Sequence, residues 1–254
     1  MTEHEQGGAD GPRVLSASLL LRPTASANAF EEAVHRLVQS LRLRLVEPGE
    51  RLPPERELAA MLGVSRDTVR EAIGALTAAG YLVARRGRYG GTFVVAPAPE
   101  HGPGEDDVAD ALYPALTPEA LADTLALREV LEVGTVRRLA RTDLSAADRD
   151  RLWRAHEDCA ATDVDGYRFA DSHLHLLLGE LVQAPSLVPA LADIRMRVNA
   201  YLDRIPLLVP NIEHSTEQHE RIVDAVLKGR PVEAASAMSE HLEGTERLLQ
   251  AFLA

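Results

Sequence analysis

Four side chains in the C-terminal half of this chain are of types that bind divalent metal ions. Asp171 and His175 are four residues apart, so on an α-helix they share one face. His219 and His241 occur singly, farther along the chain. Three imidazoles and one carboxylate suit a borderline divalent ion and leave coordination positions open for water or an anionic ligand. From spacing alone, the alternative for the first pair is a hydrogen bond at a helix surface.

A second group of candidate residues is rich in arginine and lies between residues 52 and 94. Arg66 and Arg70 are four apart in the run SRDTVR, so they project from one helix face, with Thr68 between them. A short helix presenting these side chains beside an apolar face is typical of a recognition helix in the DNA major groove. Asp67 repels phosphate, so we expect it to stabilise the positive helix N-terminus.

Two short helices and a tight turn are predicted to position these arginines. The first helix follows Pro54, and its apolar face is formed by Leu58, Ala59 and Leu62. Gly63 ends it where a sharp turn needs a residue without a Cβ. Ser65 is the predicted N-cap of the second helix, whose apolar face is formed by Val69, Ile73 and Leu76.

A basic hairpin is predicted after the second helix. Its strands are residues 81–83 and 92–95, and the run RRGRYGG between them has three arginines and no acid. Glycines let such a positive tip approach a phosphate or groove closely. A helix-turn-helix followed by this hairpin is a winged helix. The alternative is a three-helix core with an incidental solvated hairpin.

The charge distribution agrees with a DNA-binding surface at one end of the chain. The 254 residues carry a net charge of −12, which by itself argues against a nucleic-acid partner. However, residues 31–96 carry ten Arg and eight acidic side chains, net +2, whereas residues 97–254 carry fifteen basic and twenty-eight acidic ones, net −13. A local basic face on an acidic protein is compatible with a site-specific DNA binder.

The chain divides into a predicted tail, two domains and a linker. Residues 1–25 are predicted to be a disordered tail, and residues 26–96 a winged helix DNA-binding domain. Residues 97–117, dense in Pro, Gly and acid, read as a linker. Residues 118–254 are predicted to form an all-α bundle, so that the fold is mainly α. Its six helices are expected near 118–141, 145–161, 164–182, 186–204, 212–228 and 231–252.

Other features of composition point to the cytoplasm. The single cysteine, Cys159, allows no internal disulfide, which fits a reducing compartment. No apolar run approaches the ~20 residues that span a bilayer, so no membrane association is expected. The acidic N-terminus lacks the pattern of a signal peptide.

The block LPPERELAAMLGVSRDTVREAIGALTAAGYLVARRGRYGGTFV resembles the signature of the GntR family of bacterial transcription regulators. The resemblance implies a cytoplasmic regulator that binds double-stranded DNA. It also implies that the DNA contacts are made by Arg56 in the first helix, by the recognition helix and by the wing. Carried over position by position, these contacts fall on Arg56, Ser65, Arg66, Thr68, Arg70, Arg86 and Gly87.

Residues 118–252 resemble the C-terminal, all-helical (FCD-type) ligand-binding domain of the family's FadR subgroup. Many such domains hold a metal, and the family's ligand pattern falls on Asp171, His175, His219 and His241. Zinc, nickel, manganese or iron would suit the site, with zinc expected in protein as purified. His173 is interpreted as non-ligating, His156 and His214 as surface residues, and residues 195–199 as a possible cavity lining.

The resemblance also assigns a role to Arg128, in the segment LREVLE. A guanidinium there would face the cavity and grip a carboxylate effector in a bidentate fork. The alternatives are an i, i+4 salt bridge with Glu132 or an ordinary solvated side chain.

These features predict a ligand-responsive transcription regulator. It would bind an inverted-repeat operator as a homodimer and sense a small organic acid through the metal-containing domain. In the family the usual outcome is repression relieved by a metabolite. One alternative is a metal-dependent hydrolase or lyase fused to a DNA-binding module, although the sequence lacks HExxH, a phosphate loop and a nucleophile elbow. Another is an architectural DNA binder without an effector.

Overall fold

The computed structural model describes residues 29–87, 90–95 and 117–253, and these form a mainly α fold, as predicted. The predicted tail, 1–25, and the predicted linker, 97–117, lie outside the described residues, except for Thr117. No helix of the described ranges combines the length and the apolar character that crossing a bilayer requires.

The N-terminal unit is a three-helix winged helix. Its elements are α1 (Ala29–Arg42), α2 (Glu55–Leu62), α3 (Arg66–Ala78), β1 (Leu82–Arg85) and β2 (Gly91–Val94). The strands pair antiparallel, with Leu82 opposite Val94 and Arg85 opposite Gly91. Both strands lie one to two residues nearer the hairpin tip than predicted, because Tyr81 still belongs to the turn and donates its N–H to the Leu76 carbonyl. The helix α1 was not predicted as a separate element.

The turn between α2 and α3 has the local structure that its residues predict. Gly63 adopts a left-handed conformation, with φ of 69°, and its N–H bonds the Ala59 carbonyl. Ser65 is the N-cap of α3, since its hydroxyl accepts from the Thr68 N–H at 3.0 Å. Behind the turn, the predicted apolar faces are buried together with Leu37 of α1.

The C-terminal unit is a six-helix bundle, close to the predicted segments. Its helices are α4 (Pro118–Leu139), α5 (Ala146–Ala161), α6 (Tyr167–Leu181), α7 (Leu187–Leu202), α8 (Val209–Leu227) and α9 (Pro231–Leu253). Thr117 and Ser145 cap α4 and α5 through their hydroxyls. The helix α8 begins three residues before its predicted start, because Pro210 lies in its first turn, where a missing N–H costs nothing.

The helix α6 is the most buried of the bundle and packs against α4, α5 and α7. Gly179 permits its close approach to α7, because a Cβ at this position would collide with the side chain of Leu191. The tight packing sets the position of the polar residues that α6 carries one to two turns earlier.

The winged helix docks directly on α6 and α7. Asp193 of α7 lies 2.9 Å from His35 Nε2 and also accepts from the Gln39 amide, both on α1. His173 Nε2 of α6 donates to the Leu43 carbonyl at 2.6 Å. The two helices that contact the DNA-binding unit are therefore also helices that line the interior of the bundle.

Candidate functional site

Asp171, His175, His219 and His241 meet inside the helical bundle. The first two lie one turn apart on α6, while His219 comes from α8 and His241 from α9. All four are buried, and one potential ligand atom from each lies within 4.8 Å of the others. The structure therefore brings together the residues that the sequence placed on three separate helices.

The ligand atoms of this cluster lie close enough together to hold a metal ion. Asp171 Oδ1 lies 3.2 Å from His219 Nε2 and 3.8 Å from His175 Nε2. The two imidazole Nε2 atoms are 3.4 Å apart. His241 Nε2 is buried and has no hydrogen-bond partner among the described residues. A buried nitrogen without a partner is costly, and an ion at the centre of the cluster would satisfy it.

Two side chains outside the cluster orient its imidazoles. Glu132 of α4 places Oε2 2.6 Å from His175 Nδ1. Gln218 Oε1 lies 3.1 Å from His241 Nδ1. Such contacts turn the opposite nitrogen toward the metal and raise its basicity. Neither residue was predicted as part of the site. The available signal was the position of Gln218 directly before His219.

Arg128 forms the i, i+4 salt bridge with Glu132 that was one alternative from the sequence. The pair is buried, however, and does not lie at the surface. Arg128 Nε lies 3.3 Å from Glu132 Oε1, and both side chains are 2 % exposed. Arg128 Nη1 is buried without a hydrogen-bond partner among the described residues. Part of the guanidinium therefore remains able to bind an anion inside the bundle.

Arg195 is the fully buried charged residue of segment 195–199. It donates to Asp171 Oδ2 and, at 3.3 Å, to Ser172 Oγ. Its Nη1 lies 3.7 Å from Glu132 Oε1. Two guanidiniums and two carboxylates thus surround the histidines, and the charges balance before any ion binds.

Electrostatics favour the protonation states of Asp171 and His241 that bind metal. Burial alone would raise the pKa of Asp171, but Arg195 and the neighbouring histidines hold it well below its usual range. Burial alone would also raise the pKa of Glu132. The facing His175 and Arg128 lower this pKa by more, so it lies below its usual range. Burial and the other imidazoles keep the pKa of His241 well below its usual range. Ionised carboxylates and neutral imidazoles are the forms that coordinate a divalent ion.

The remaining histidines of the bundle lie outside this cluster. His173 points to the winged helix, and His214 is exposed. The interpretation of His156 as a surface residue was wrong, because it is only 6 % exposed. Its spacing from Leu152 and Cys159 places it on the buried face of α5, a helical pattern that the sequence already contained.

The candidate DNA contacts of α2 and α3 are exposed, apart from Thr68, which is half-buried. Arg56 lies in the first turn of α2, and Arg66 is the first residue of α3. Ser65 caps this end of α3, and its hydroxyl oxygen lies 2.8 Å from that of Thr68. This helix end carries a positive partial charge, which favours a nearby phosphate.

Arg70 is exposed but already has two acidic partners. Its Nη1 bonds Asp67 at 2.9 Å and its Nη2 bonds Glu55 at 3.1 Å, so it braces α3 against the start of α2. A DNA contact by Arg70 would have to compete with these pairs. Arg66 makes no ion pair with a described residue, and we therefore regard it as the better probe of the interface.

The described part of the wing presents Arg85, Arg86 and Gly87 to solvent. Arg85 lies over the Phe93 ring, 4.6 Å from its centroid, which steadies the base of the hairpin. Gly87 has φ of 106°, a conformation that residues with a Cβ rarely adopt. Arg88, at the predicted tip, lies outside the described residues.

The two units match two family models in sequence. Residues 29–94 match the model described as bacterial regulatory proteins, gntR family, and residues 123–244 match the FCD domain. A Mycobacterium gastri protein, provisionally named HTH-type transcriptional regulator RmpR, is 31% identical over 231 residues. The alignment covers 89% of this chain and 81% of that protein.

Further relatives match this chain over most of its length. The HTH-type transcriptional repressor NanR of Cronobacter sakazakii is 29% identical, covering 99% of this chain and 96% of its own. The HTH-type transcriptional regulator LutR of Bacillus subtilis is 28% identical, covering 82% and 94%. A solved structure of McbR/YncC from E. coli has the same fold, with a TM-score of 0.54 and 18% identity, covering 90% of this chain and 100% of that one.

Proposed function

Since this chain belongs to the GntR family of bacterial regulatory proteins and carries an FCD domain of the FadR-like type, we propose that it is a ligand-responsive transcription regulator, acting as a repressor. A homodimer would present two recognition helices to an inverted-repeat operator, because two-fold protein symmetry calls for two-fold symmetry in the DNA. It would work in the cytoplasm.

The observation that carries the DNA-binding part is the exposed Arg66 at the capped N-terminus of α3, which makes no ion pair with a described residue. A guanidinium there, beside the positive helix end, suits a phosphate or a guanine edge. Arg56, Thr68 and the wing residues Arg86 and Gly87 would add contacts around it. Arg70 would contribute either directly or by fixing the angle between α2 and α3.

Arg66→Ala is expected to weaken operator binding by roughly 1–3 kcal/mol, about five- to 150-fold, if the side chain makes a bidentate base contact. The measurement is a titration of labelled operator at fixed salt, because phosphate contacts make the affinity salt-dependent. Arg154→Ala, an exposed arginine on α5, is the matched control and should bind as the wild type does. Equal affinities for both variants would contradict the proposed role of α3.

The second part of the proposal concerns the bundle. The cluster of Asp171 and three histidines would hold a divalent ion, with zinc expected in purified protein, and Arg128 would bind the carboxylate of a small organic acid. The bound metal would supply positive charge for an anionic ligand. Because linkage is reciprocal, an effector that weakens DNA binding must itself be weakened by DNA.

A panel of hydroxy acids and sugar acids should raise the melting temperature of the metal-loaded protein when one of them binds the folded state. Arg128→Lys keeps the charge beside Glu132 but loses the planar fork, and we expect it to remove most of that increase. Arg154→Lys serves as the control. If no acid in the panel raises the melting temperature of the wild type, the protein is better described as an architectural DNA binder without an effector.

The enzyme alternative is set aside. The relatives named above are transcription regulators, and none is named as an enzyme. Glu132, the carboxylate nearest the histidines outside the ligand set, is held ionised by His175, Arg128 and Arg195. A carboxylate with so low a pKa is a poor general base at neutral pH.

A further inference from the structure

One face of α4 is exposed along its length, although the opposite face lines the metal site. Leu127 and Val130 on this face are 42 % and 71 % exposed, which is high for large apolar side chains in a bundle. Ala122 and Ala126 are also exposed, and Gly134 is partly exposed. The face is therefore a stripe of apolar and small residues, of the kind that packs against another helix.

Charged residues continue the same line at both ends of the stripe. Asp123, Val130 and Arg137 follow each other at intervals of seven, so they lie on one side of the helix. The N-terminal end of the line is acidic, with Glu119 and Asp123. The C-terminal end is basic, with Arg137 and, just beyond the helix, Arg141.

The pattern is symmetric about Val130. Asp123 and Arg137 are each seven residues from it, and Glu119 and Arg141 are each eleven from it. In an antiparallel pair of identical helices with Val130 on the two-fold axis, each acidic residue would face a basic residue of the other copy. The same rule would bring Ala126 opposite Gly134, and two small residues allow close approach of the backbones.

We propose that this face of α4 is the seam of the homodimer, formed with the α4 of a second copy in antiparallel orientation. The inference deepens the proposed function, since it rests on the homodimer proposed there. A self-complementary patch around a two-fold axis is what an isologous interface requires. The apolar centre supplies the area removed from water, and the charged ends select the antiparallel direction.

The arginines and Asp123 of the seam are available for a partner, whereas Glu119 also hydrogen-bonds Thr117 at the start of α4. Arg137, Arg138 and Arg141 make no ion pair with a described residue, although four acidic residues of α4 lie on the same helix. These arginines, with Gly134 and Thr142, line a concave surface of about 410 Å³, where the acidic start of a second α4 would fit. Asp123 is 75% exposed and has only a marginal contact with Arg197, at 3.9 Å.

The test compares Val130 with Val232, a similarly exposed valine (76 %) at the start of α9. Val130→Asp puts two carboxylates face to face on the axis, so we expect the dimer dissociation constant to rise by more than about 100-fold. Val232→Asp should leave it unchanged. The full-length chain is measured by light scattering over a concentration series, with circular dichroism to verify the fold.

A charge swap tests the pairing itself. Asp123→Arg should weaken the dimer, because the introduced arginine of each copy then faces Arg137 of the other copy and repels it. Asp123→Arg combined with Arg137→Asp should restore it, since every opposite-charge pair is rebuilt in reverse. Val130→Cys, treated with copper–phenanthroline, should give a covalent dimer, and Val232→Cys should not. Cys159 is buried and does not interfere.

The outcomes separate this inference from the proposed function. The α4 seam would be overturned if the wild type is a dimer and Val130→Asp leaves that dimer intact. It would also be overturned if adding Arg137→Asp fails to restore dimer formation of the Asp123→Arg variant. In either case the homodimer itself would stand. A wild type that is monomeric at all concentrations would overturn the homodimer as well. Operator binding through Arg66 is measured separately and would still test the DNA-binding part.

Discussion

Replacing His175 and His219 together with alanine is expected to abolish divalent metal binding. The two imidazoles come from α6 and α8, and their Nε2 atoms lie 3.4 Å apart at the centre of the cluster. Only Asp171 and His241 would remain, too few ligands for a closed site. Elemental analysis of protein purified without chelator should find about one ion per wild-type chain and none in the variant.

The same substitution should remove the stabilisation that the metal provides. A ligand that binds only the folded state, at a free concentration of 100 times its dissociation constant, stabilises by about 2.7 kcal/mol. Added zinc should therefore raise the melting temperature of the chelator-treated wild type and leave the variant unchanged. Arg154→Ala, exposed on α5 and outside the cluster, is the control and should respond as the wild type does. A metal-free wild type, or an equal response in the double variant, would remove the metal from the proposal.

Arg195→Met is expected to destabilise the metal-free protein by about 3–5 kcal/mol, because it leaves a buried carboxylate without its partner. Arg195 is fully buried and contacts Asp171 directly, whereas methionine fills much of the same volume without charge. Denaturant unfolding with chelator present measures the loss. Arg197→Met, two residues along α7 and with a 34% exposed side chain, should change stability by less than about 1 kcal/mol.

The metal should partly rescue this variant. An ion in the cluster would supply positive charge to Asp171, so the difference between Arg195→Met and the wild type should shrink when zinc is added. A loss that is the same with and without zinc would mean that Arg195 acts on the fold alone. A loss as small as that of Arg197→Met would show that the buried charges of the cluster are compensated in another way.

Local interactions made much of the winged helix predictable. Gly63 and Ser65 act within their own turn, through a left-handed backbone and a hydroxyl cap, and such effects need no distant partner. The six helices of the bundle were predictable for the same reason, because apolar spacing and terminal residues act within one helix. By contrast, α1 was not predicted as an element, although Glu31 and Glu32 in its first turn and the apolar spacing of Val34, Leu37 and Leu41 are helix signals.

The metal site was only partly predictable. Asp171 and His175 are related by the helix that carries both, but His219 and His241 could be joined to them only through a family resemblance. The contacts that Glu132, Gln218 and Arg195 make with the cluster were not predictable from the sequence, since each acts on a residue of another helix. The ion pair of Arg70 with Glu55 likewise depends on how two helices pack, whereas the burial of His156 could have been inferred from the apolar spacing of α5.

The sequence by itself determined the helices and their caps, the basic hairpin, and the segregation of positive charge at one end of the chain. These are properties of residues close in sequence, where geometry follows from a period or a turn. Only the tertiary structure decided which side chains meet inside the bundle, and it also left the symmetric face of α4 uncovered. Contacts between helices depend on packing angles and distances, which no single helix contains.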